Sequence, residues 1–154
     1  MADKVERARR GTFHTIVVST DGTPFAMRAV EVAFRLGQRD GAKIIVVSVV
    51  DTGALADFIA SSERERKKAE EELRFNADEA LAKVGEQAAR EGVDVEMIVR
   101  KGRPHIEIVT VAHEAEADLI VMGKTSGIRA ARHLMGSVTQ RVIEDADCSV
   151  LLVR

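Results

Sequence analysis

Tryptophan and tyrosine are absent from this chain, and aromatic residues of every kind make up only 3% of it. So few rings exclude the stacking platforms on which single-stranded nucleic acids lie, and the ring-lined clefts that hold sugars. A single cysteine, Cys148, excludes an internal disulfide and cannot build a metal cluster alone. No apolar run approaches the ~20 residues needed to cross a bilayer. The charged opening stretch from Met1 to Gly11 has no apolar segment behind it. No membrane association and no signal peptide are therefore expected, and the expected location is cytoplasmic. Charge of one sign is lacking too: 23 Lys and Arg against 25 Asp and Glu leave a formal net charge of −2. That balance argues against a nucleic-acid partner, and the basic residues Lys4, Arg7, Arg9 and Arg10 near the start are too few to change it.

What is present is the composition of an ordinary globular domain: 154 residues, 45% hydrophobic and 31% charged. A chain of that length buries roughly 70% of the surface its unfolded form exposes, enough for a real core. One domain is expected over residues 13–154, preceded by a flexible tail over 1–12.

Short β-branched runs alternate with longer helical stretches. His14–Ser19 predicts a strand, and Ala26, Ala29, Val30, Ala33 and Phe34 recur at helical spacing after it, with Gly37 near that helix's end. Lys43–Val50 is apolar without alternation, as in a strand covered on both faces. A loop is expected from Asp51 to Ser62, then a long charged helix with an apolar stripe of Leu73, Ala77, Ala80, Leu81, Val84 and Ala88, ended by Gly92. Further strands are expected over Val93–Val99, Asp118–Met122 and Cys148–Val153. Between them lie a helix carrying Ile108, Val111, Ala112 and Ala115, and a last helix opened by Gly136 and Ser137. Such alternation predicts an α/β domain, a five-stranded parallel sheet with helices on both faces.

In an open parallel sheet, ligands bind beyond the carboxyl ends of the strands, where the winding reverses. Two loops there stand out. Ser19-Thr-Asp-Gly22 places an acid directly after strand one. Met122–Ser137 carries three glycines, Lys124, Arg129, Arg132, His133 and several hydroxyls. Glycines let backbone amides approach an anion, and a helix N-terminus adds free donors, so the loop reads as a phosphate binder. The plainer alternative is that the glycines serve turns and Ser137 only caps a helix. Gly123-Lys124-Thr125 imitates the end of a P-loop, but Asp118 stands where that motif needs its first glycine.

The segments Val17–Gly22, Val47–Asp51, Gly102–Pro104, Ala117–Gly123, and Gly136–Ser137 leading to Cys148–Val153 resemble the universal stress protein family. The resemblance runs from His14 to Arg154. The family's nucleotide signature is glycine, two residues, glycine, nine residues, then glycine with serine or threonine. Gly123, Gly136 and Ser137 match it. Ser126 stands at the middle glycine, with Gly127 one place later, and serine adopts positive φ less readily than glycine.

The resemblance implies a Rossmann-like, adenine nucleotide alpha hydrolase-like sheet of order 3-2-1-4-5. It also implies a site for ATP, or AMP or ADP, between strands one and four. Asp21 would lie by the ribose and any Mg or Mn ion, which it would hold only through the nucleotide. Val49 would offer its backbone to the adenine edge. Gly123 would approach the ribose and phosphates, and Ser126, Gly127, Gly136 and Ser137 would hold the phosphate chain. The family also implies a homodimer through strand five, Cys148–Val153, whose apolar edge needs covering.

Other residues read more plainly. The four histidines, His14, His105, His113 and His133, are not at mutual ligand spacing, though His133 could touch phosphate. Cys148 reads as a small hydrophobe rather than a reactive thiol. The interleaved acids and bases from Ser61 to Arg74 read as a solvated helix face, with a partner surface as the second reading. Leu55, Phe58 and Ile59 follow strand two at the ligand end, either as a lid, as packed-down residues or in a dimer contact.

Three functions follow. The first is a nucleotide-binding regulatory or stress-response module, dimeric and without evident catalytic groups. The second is a slow Mg-dependent ATPase using Asp21 with Lys124 or His133. The third is a nucleotide-independent dimeric interaction protein.

Overall fold

The computed structural model describes residues 6, 9–57, 62–124 and 135–154. The elements in chain order are β1 (Thr15–Ser19), α1 (Pro24–Asp40), β2 (Lys43–Asp51), α2 (Thr52–Asp57), α3 (Glu63–Glu91), β3 (Glu96–Gly102), α4 (Pro104–Glu114), β4 (Leu119–Gly123), α5 (Ser137–Asp145) and β5 (Ser149–Val153). All five strands are parallel and lie in the order β3-β2-β1-β4-β5. The chain winds outward in one direction from β1 to β3 and in the other from β4 to β5, so the reversal falls between β1 and β4.

Strand periodicity divides the core into two layers. Ile16 and Val18 of β1, Ile44 and Val46 of β2, and Leu119 and Val121 of β4 face α1 and α3, where they meet Phe34, Ala33, Leu81 and Val84. The intervening Val17, Ile45, Val47, Ile120 and Met122 face α4 and α5, against Ile108, Val111 and Val142. The lack of alternation in Lys43–Val50 thus records a strand buried on both sides.

Helix ends follow their local chemistry. Thr23 caps α1, accepting a 3.4 Å bond from the Ala26 amide, and Pro24 follows at the start, where a missing N–H costs nothing. That helix ends at Gly41, at φ 66°, and not near Gly37, which lies inside it. A β-carbon at Gly37 would stand 2.4 Å from Ile44 Cδ1, so the glycine serves close helix–strand packing. Ser62 caps α3, and Gly92 closes it at φ 65°.

Three other expectations are corrected. The third strand begins at Glu96 and not at Val93, because the Val93 amide bonds the Ala88 carbonyl at 2.9 Å as part of the helix closure. The stretch after β2 is not all loop: Asp51 Oδ1 accepts from the Ala54 amide at 3.1 Å and opens the short helix α2. Leu55 on that helix is buried and packs down, while Phe58 and Ile59 lie outside the described residues. Ser137 is not a cap; Gly136 holds the N-cap position and Ser137 is the first helical residue.

The chain leading into β1 is fastened at the amino end of the sheet. Asp40 accepts from Arg39 Nε at 2.5 Å, from Arg39 Nη2 at 2.9 Å and from the Phe13 amide at 2.8 Å. Hydrogen bonding from Arg39 first, and from the Phe13 amide as well, holds the Asp40 carboxyl below its ordinary range despite the opposing effect of burial. A carboxyl depressed in the folded state adds stability above its unfolded pKa of ~3.9 and loses it as pH falls through the lower folded value. Asp40→Asn is therefore expected to flatten the acid limb of a stability-versus-pH curve below about pH 4. Urea midpoints at stepped pH check this, and an unchanged limb would remove Asp40 from the acid response.

Among the described residues, no helix is long and apolar enough to cross a membrane.

Candidate functional site

At the switch point the ends of β1 and β4 carry the two loops singled out from the sequence. After β1, the Thr20 amide bonds the Val47 carbonyl at 3.0 Å and is the last rung between those strands. The buried Thr20 side chain accepts from the Gly22 amide at 3.1 Å. Asp21 is exposed; its Oδ1 accepts from the Thr23 amide at 3.0 Å and from the Thr23 hydroxyl at 2.6 Å. One carboxylate oxygen therefore organises the turn into α1, and Oδ2 faces outward with no partner among the described residues.

β2 runs four residues further than its register with β1 and stays paired with β3 as far as Asp51 and Gly102. Backbone groups of successive strand residues point to alternate neighbours, so Val49 turns its N–H and C=O to the same side as Val47, past the end of β1. No β1 residue is in register with Val49. The Val49 side chain is half-buried on the layer beneath α4.

The second loop is closed at its base. The Gly136 amide donates to the Lys124 carbonyl at 3.2 Å, the Thr139 hydroxyl donates to the Gly123 carbonyl at 3.2 Å, and the Lys124 amide donates to the Val153 carbonyl at 2.8 Å. These bonds bring Gly123, Gly136 and Ser137 to one point, at the end of β4 and the start of α5, although they are far apart in the chain. Gly123 also passes close to α1: a β-carbon there would stand 3.3 Å from the backbone of Phe25. Its absence leaves the end of β4 in contact with the first turn of α1.

Ser126, Gly127, Arg129, Arg132 and His133 lie outside the described residues. Of the other histidines, His14 Nδ1 lies 3.5 Å from the buried Asp118, and His113 Nδ1 lies 3.3 Å from Asp147. Neither belongs to a three-ligand group, and no such group of metal-binding side chains occurs among the described residues. Asp118 sits at the opposite end of β4, where it accepts from the His14 and Thr15 amides at 3.0–3.1 Å. It is a clamp for the start of β1, which accounts for an acid where a P-loop would need glycine. Cys148 precedes β5 and packs half-buried against the α4–α5 layer.

Sequence reasoning gives Thr20, Thr23, Thr139, Ala80 and Lys83 no part in shaping the two loops. Thr20 and Thr23 flank Asp21 and could have been found as turn and cap residues. Nothing local marks Thr139, nor the pair on α3: Lys83 Nζ reaches the Gly22 carbonyl at 3.3 Å, and Ala80 lies 3.2 Å from where a Gly22 β-carbon would be.

The residues present fit an adenine nucleotide. The Val49 backbone beyond the end of β1, the glycine at Gly123, the start of α5 and the exposed Asp21 all stand at the carboxyl ends of the strands, where such a ligand binds.

Comparison with known proteins agrees with this architecture. The pattern of the Universal stress protein family matches residues 12–154. Universal stress protein MJ0531 of Methanocaldococcus jannaschii is 34% identical over 152 residues, covering 99% of this chain and 88% of that protein. A universal stress protein solved in complex with cAMP is 30% identical with a TM-score of 0.67, covering 93% of this chain and 98% of the other. The Archaeoglobus fulgidus universal stress protein in complex with dAMP is 25% identical with a TM-score of 0.67, covering 92% of this chain and 98% of the other. With the fold, the crevice and these relatives in agreement, the chain belongs to the universal stress protein family.

Proposed function

We propose that this protein is an adenine-nucleotide-binding regulatory module that works as a homodimer, with ATP, ADP or AMP seated between β1 and β4. The observation that carries the reading is the closed base of the β4–α5 loop, which brings Gly123, Gly136 and Ser137 together at the end of β4. The relatives solved with cAMP and dAMP, both adenine nucleotides, support the ligand class. Val49 would read the adenine edge and Asp21 the ribose. Gly123 would approach the ribose and phosphates, and Ser126, Gly127, Gly136 and Ser137 would hold the phosphate chain. A Mg or Mn ion, when carried in by the nucleotide, would neutralise phosphate charge, and Asp21 is the side chain that would hold it.

The sheet edges support dimerisation through β5. β3 is blunted by charge, with Glu96 paired to Lys43 at 2.7 Å and Lys101 paired to Glu70. β5 presents Val150, Leu151 and Leu152 instead, and Leu151 is exposed.

Calorimetric titration of nucleotide-stripped protein with ATP, ADP and AMP, with and without Mg²⁺, tests the site. Saturable binding is expected and should be lost in Gly136→Ala. Gly136 has φ −67° and ψ 150°, values alanine accepts without strain, so such a loss would report a side chain intruding on ligand space. Light scattering on the same samples should return the mass of two chains. Silence at millimolar nucleotide would overturn the site and favour a nucleotide-independent dimer. Metal-dependent phosphate release abolished by Asp21→Ala would favour a slow ATPase.

A further inference from the structure

Among the described residues, the first half of α3 has no buried residue, and the face it turns away from the sheet is exposed. Its buried residues are Ala77, Ala80, Leu81, Val84, Gln87 and Ala88, and none lies before Ala77. At 3.6 residues per turn, Arg64, Lys68, Glu71 and Phe75 fall in one stripe at intervals of four, three and four, on the side of the helix opposite that buried face. Phe75 is 64% exposed, the most exposed of the large apolar side chains described. A shallow groove beside it is lined by Lys68, Glu71, Glu72, Phe75 and Asn76.

The charges on this stripe are unmet. Glu70 pairs with Lys101 and Arg74 with Asp78, so the neighbouring charges are used within the chain. Arg64, Lys67, Lys68, Glu71 and Glu72 form no ion pair among the described residues. Lys67 and Glu71, and Lys68 and Glu72, are spaced for i,i+4 pairing, but with the base first, the weaker orientation on a helix.

This pattern is complementary to itself when reversed. Two copies of α3 laid antiparallel about a two-fold axis between Ala69 and Glu70 set Lys68 against Glu71 and Lys67 against Glu72, each twice. The same alignment sets Arg64 over Phe75, a cation–π pair, also twice. Every position of the stripe then meets a position of the stripe, as an isologous interface requires. A parallel alignment in register sets like charges together. We infer that this face of α3 docks on the same face of a second copy of the chain, in antiparallel register, as a contact separate from β5. α3 lies over β2 and β3, whereas β5 forms the other edge of the sheet, so the two contacts do not compete.

Exposed ion pairs are individually weak, so the contact is expected to be concentration-dependent and salt-sensitive. Sedimentation velocity of the full chain should show an association step at low ionic strength that disappears in 1 M salt, where the screening length is about 3 Å. Lys68→Glu and Glu71→Lys each set like charges opposite one another twice, and each variant alone should lose the step. An equimolar mixture of the two should regain it, because the two acids at positions 68 and 71 of one face the two bases at the same positions of the other. Both positions are exposed, and unchanged circular dichroism keeps folding out of the reading. A wild-type chain without the step, single variants that associate as wild type does, or a mixture that sediments as the sum of its parts would each overturn the inference. None of these results depends on nucleotide binding.

Discussion

Phe34→Ala is expected to remove about 3–5 kcal/mol of folding stability, the range for truncating a fully buried aromatic ring. Phe34 has no exposed surface and lies on α1 among Ile16, Val18, Ile44, Leu81 and Val84. Those neighbours come from β1, β2 and α3, so the cavity would open where four elements meet and no single side chain can relax to fill it. Domains of this kind are stable by only about 5–15 kcal/mol, so the variant should lie near the edge of folding. Phe75→Ala is the matched comparison, since Phe75 is 64% exposed and its truncation should stay within about 0.5 kcal/mol. Urea midpoints at one fixed protein concentration measure both. Similar losses in the two variants would contradict the seating of α1 on the sheet.

Gly22→Ala is expected to damage stability and nucleotide binding together. Gly22 sits at φ 78°, in the left-handed region, and a β-carbon there would stand 3.2 Å from both Cα and Cβ of Ala80. The left-handed backbone costs a non-glycine residue of order 1–3 kcal/mol, and crowding against a helix backbone costs a similar amount. Relief requires either the turn or α3 to move. Moving the turn displaces Asp21, which is fixed through Thr23 one residue beyond Gly22. A combined loss of about 2–4 kcal/mol in denaturation is expected, with nucleotide affinity weakened by ~10-fold or more, about 1.4 kcal/mol. Full affinity in a destabilised variant would separate the turn from the ligand and argue against Asp21 as a contact. Gly41→Ala is the control: φ there is 66°, but nothing lies within 4 Å of the added carbon, and the position is remote from the crevice.

Most of the fold was legible in the chain because its signals are local. A β-branched run without alternation, as in Lys43–Val50, reports burial on both faces wherever it sits, and Gly41 and Gly92 mark helix ends by a backbone freedom only glycine has. Boundaries slipped where a residue's amide was claimed from outside the element. Val93 looks like a strand residue, but its N–H closes α3, and the ladder waits until Glu96. Gly37 has the composition of a helix end, but its meaning is a contact with Ile44. That contact exists only once β2 lies under α1.

The crevice divides in the same way. Asp21, Gly123, Gly136 and Ser137 could be named from residue types and spacing, because phosphate-binding loops use the same few groups everywhere. Only the folded chain shows that the Gly136 amide closes on Lys124, that Thr139 ties down Gly123, and that Lys83 and Ala80 press on Gly22 from a helix some 60 positions away. The sequence by itself determined the class of fold, the order of its elements and the chemistry of the loops, since periodicity, capping and turn preference act over a few neighbouring residues. The tertiary structure decided which strand ends adjoin, which glycines serve packing rather than turning, and how far β2 runs past the end of β1. Those depend on which strand ends first, and no local interaction encodes that.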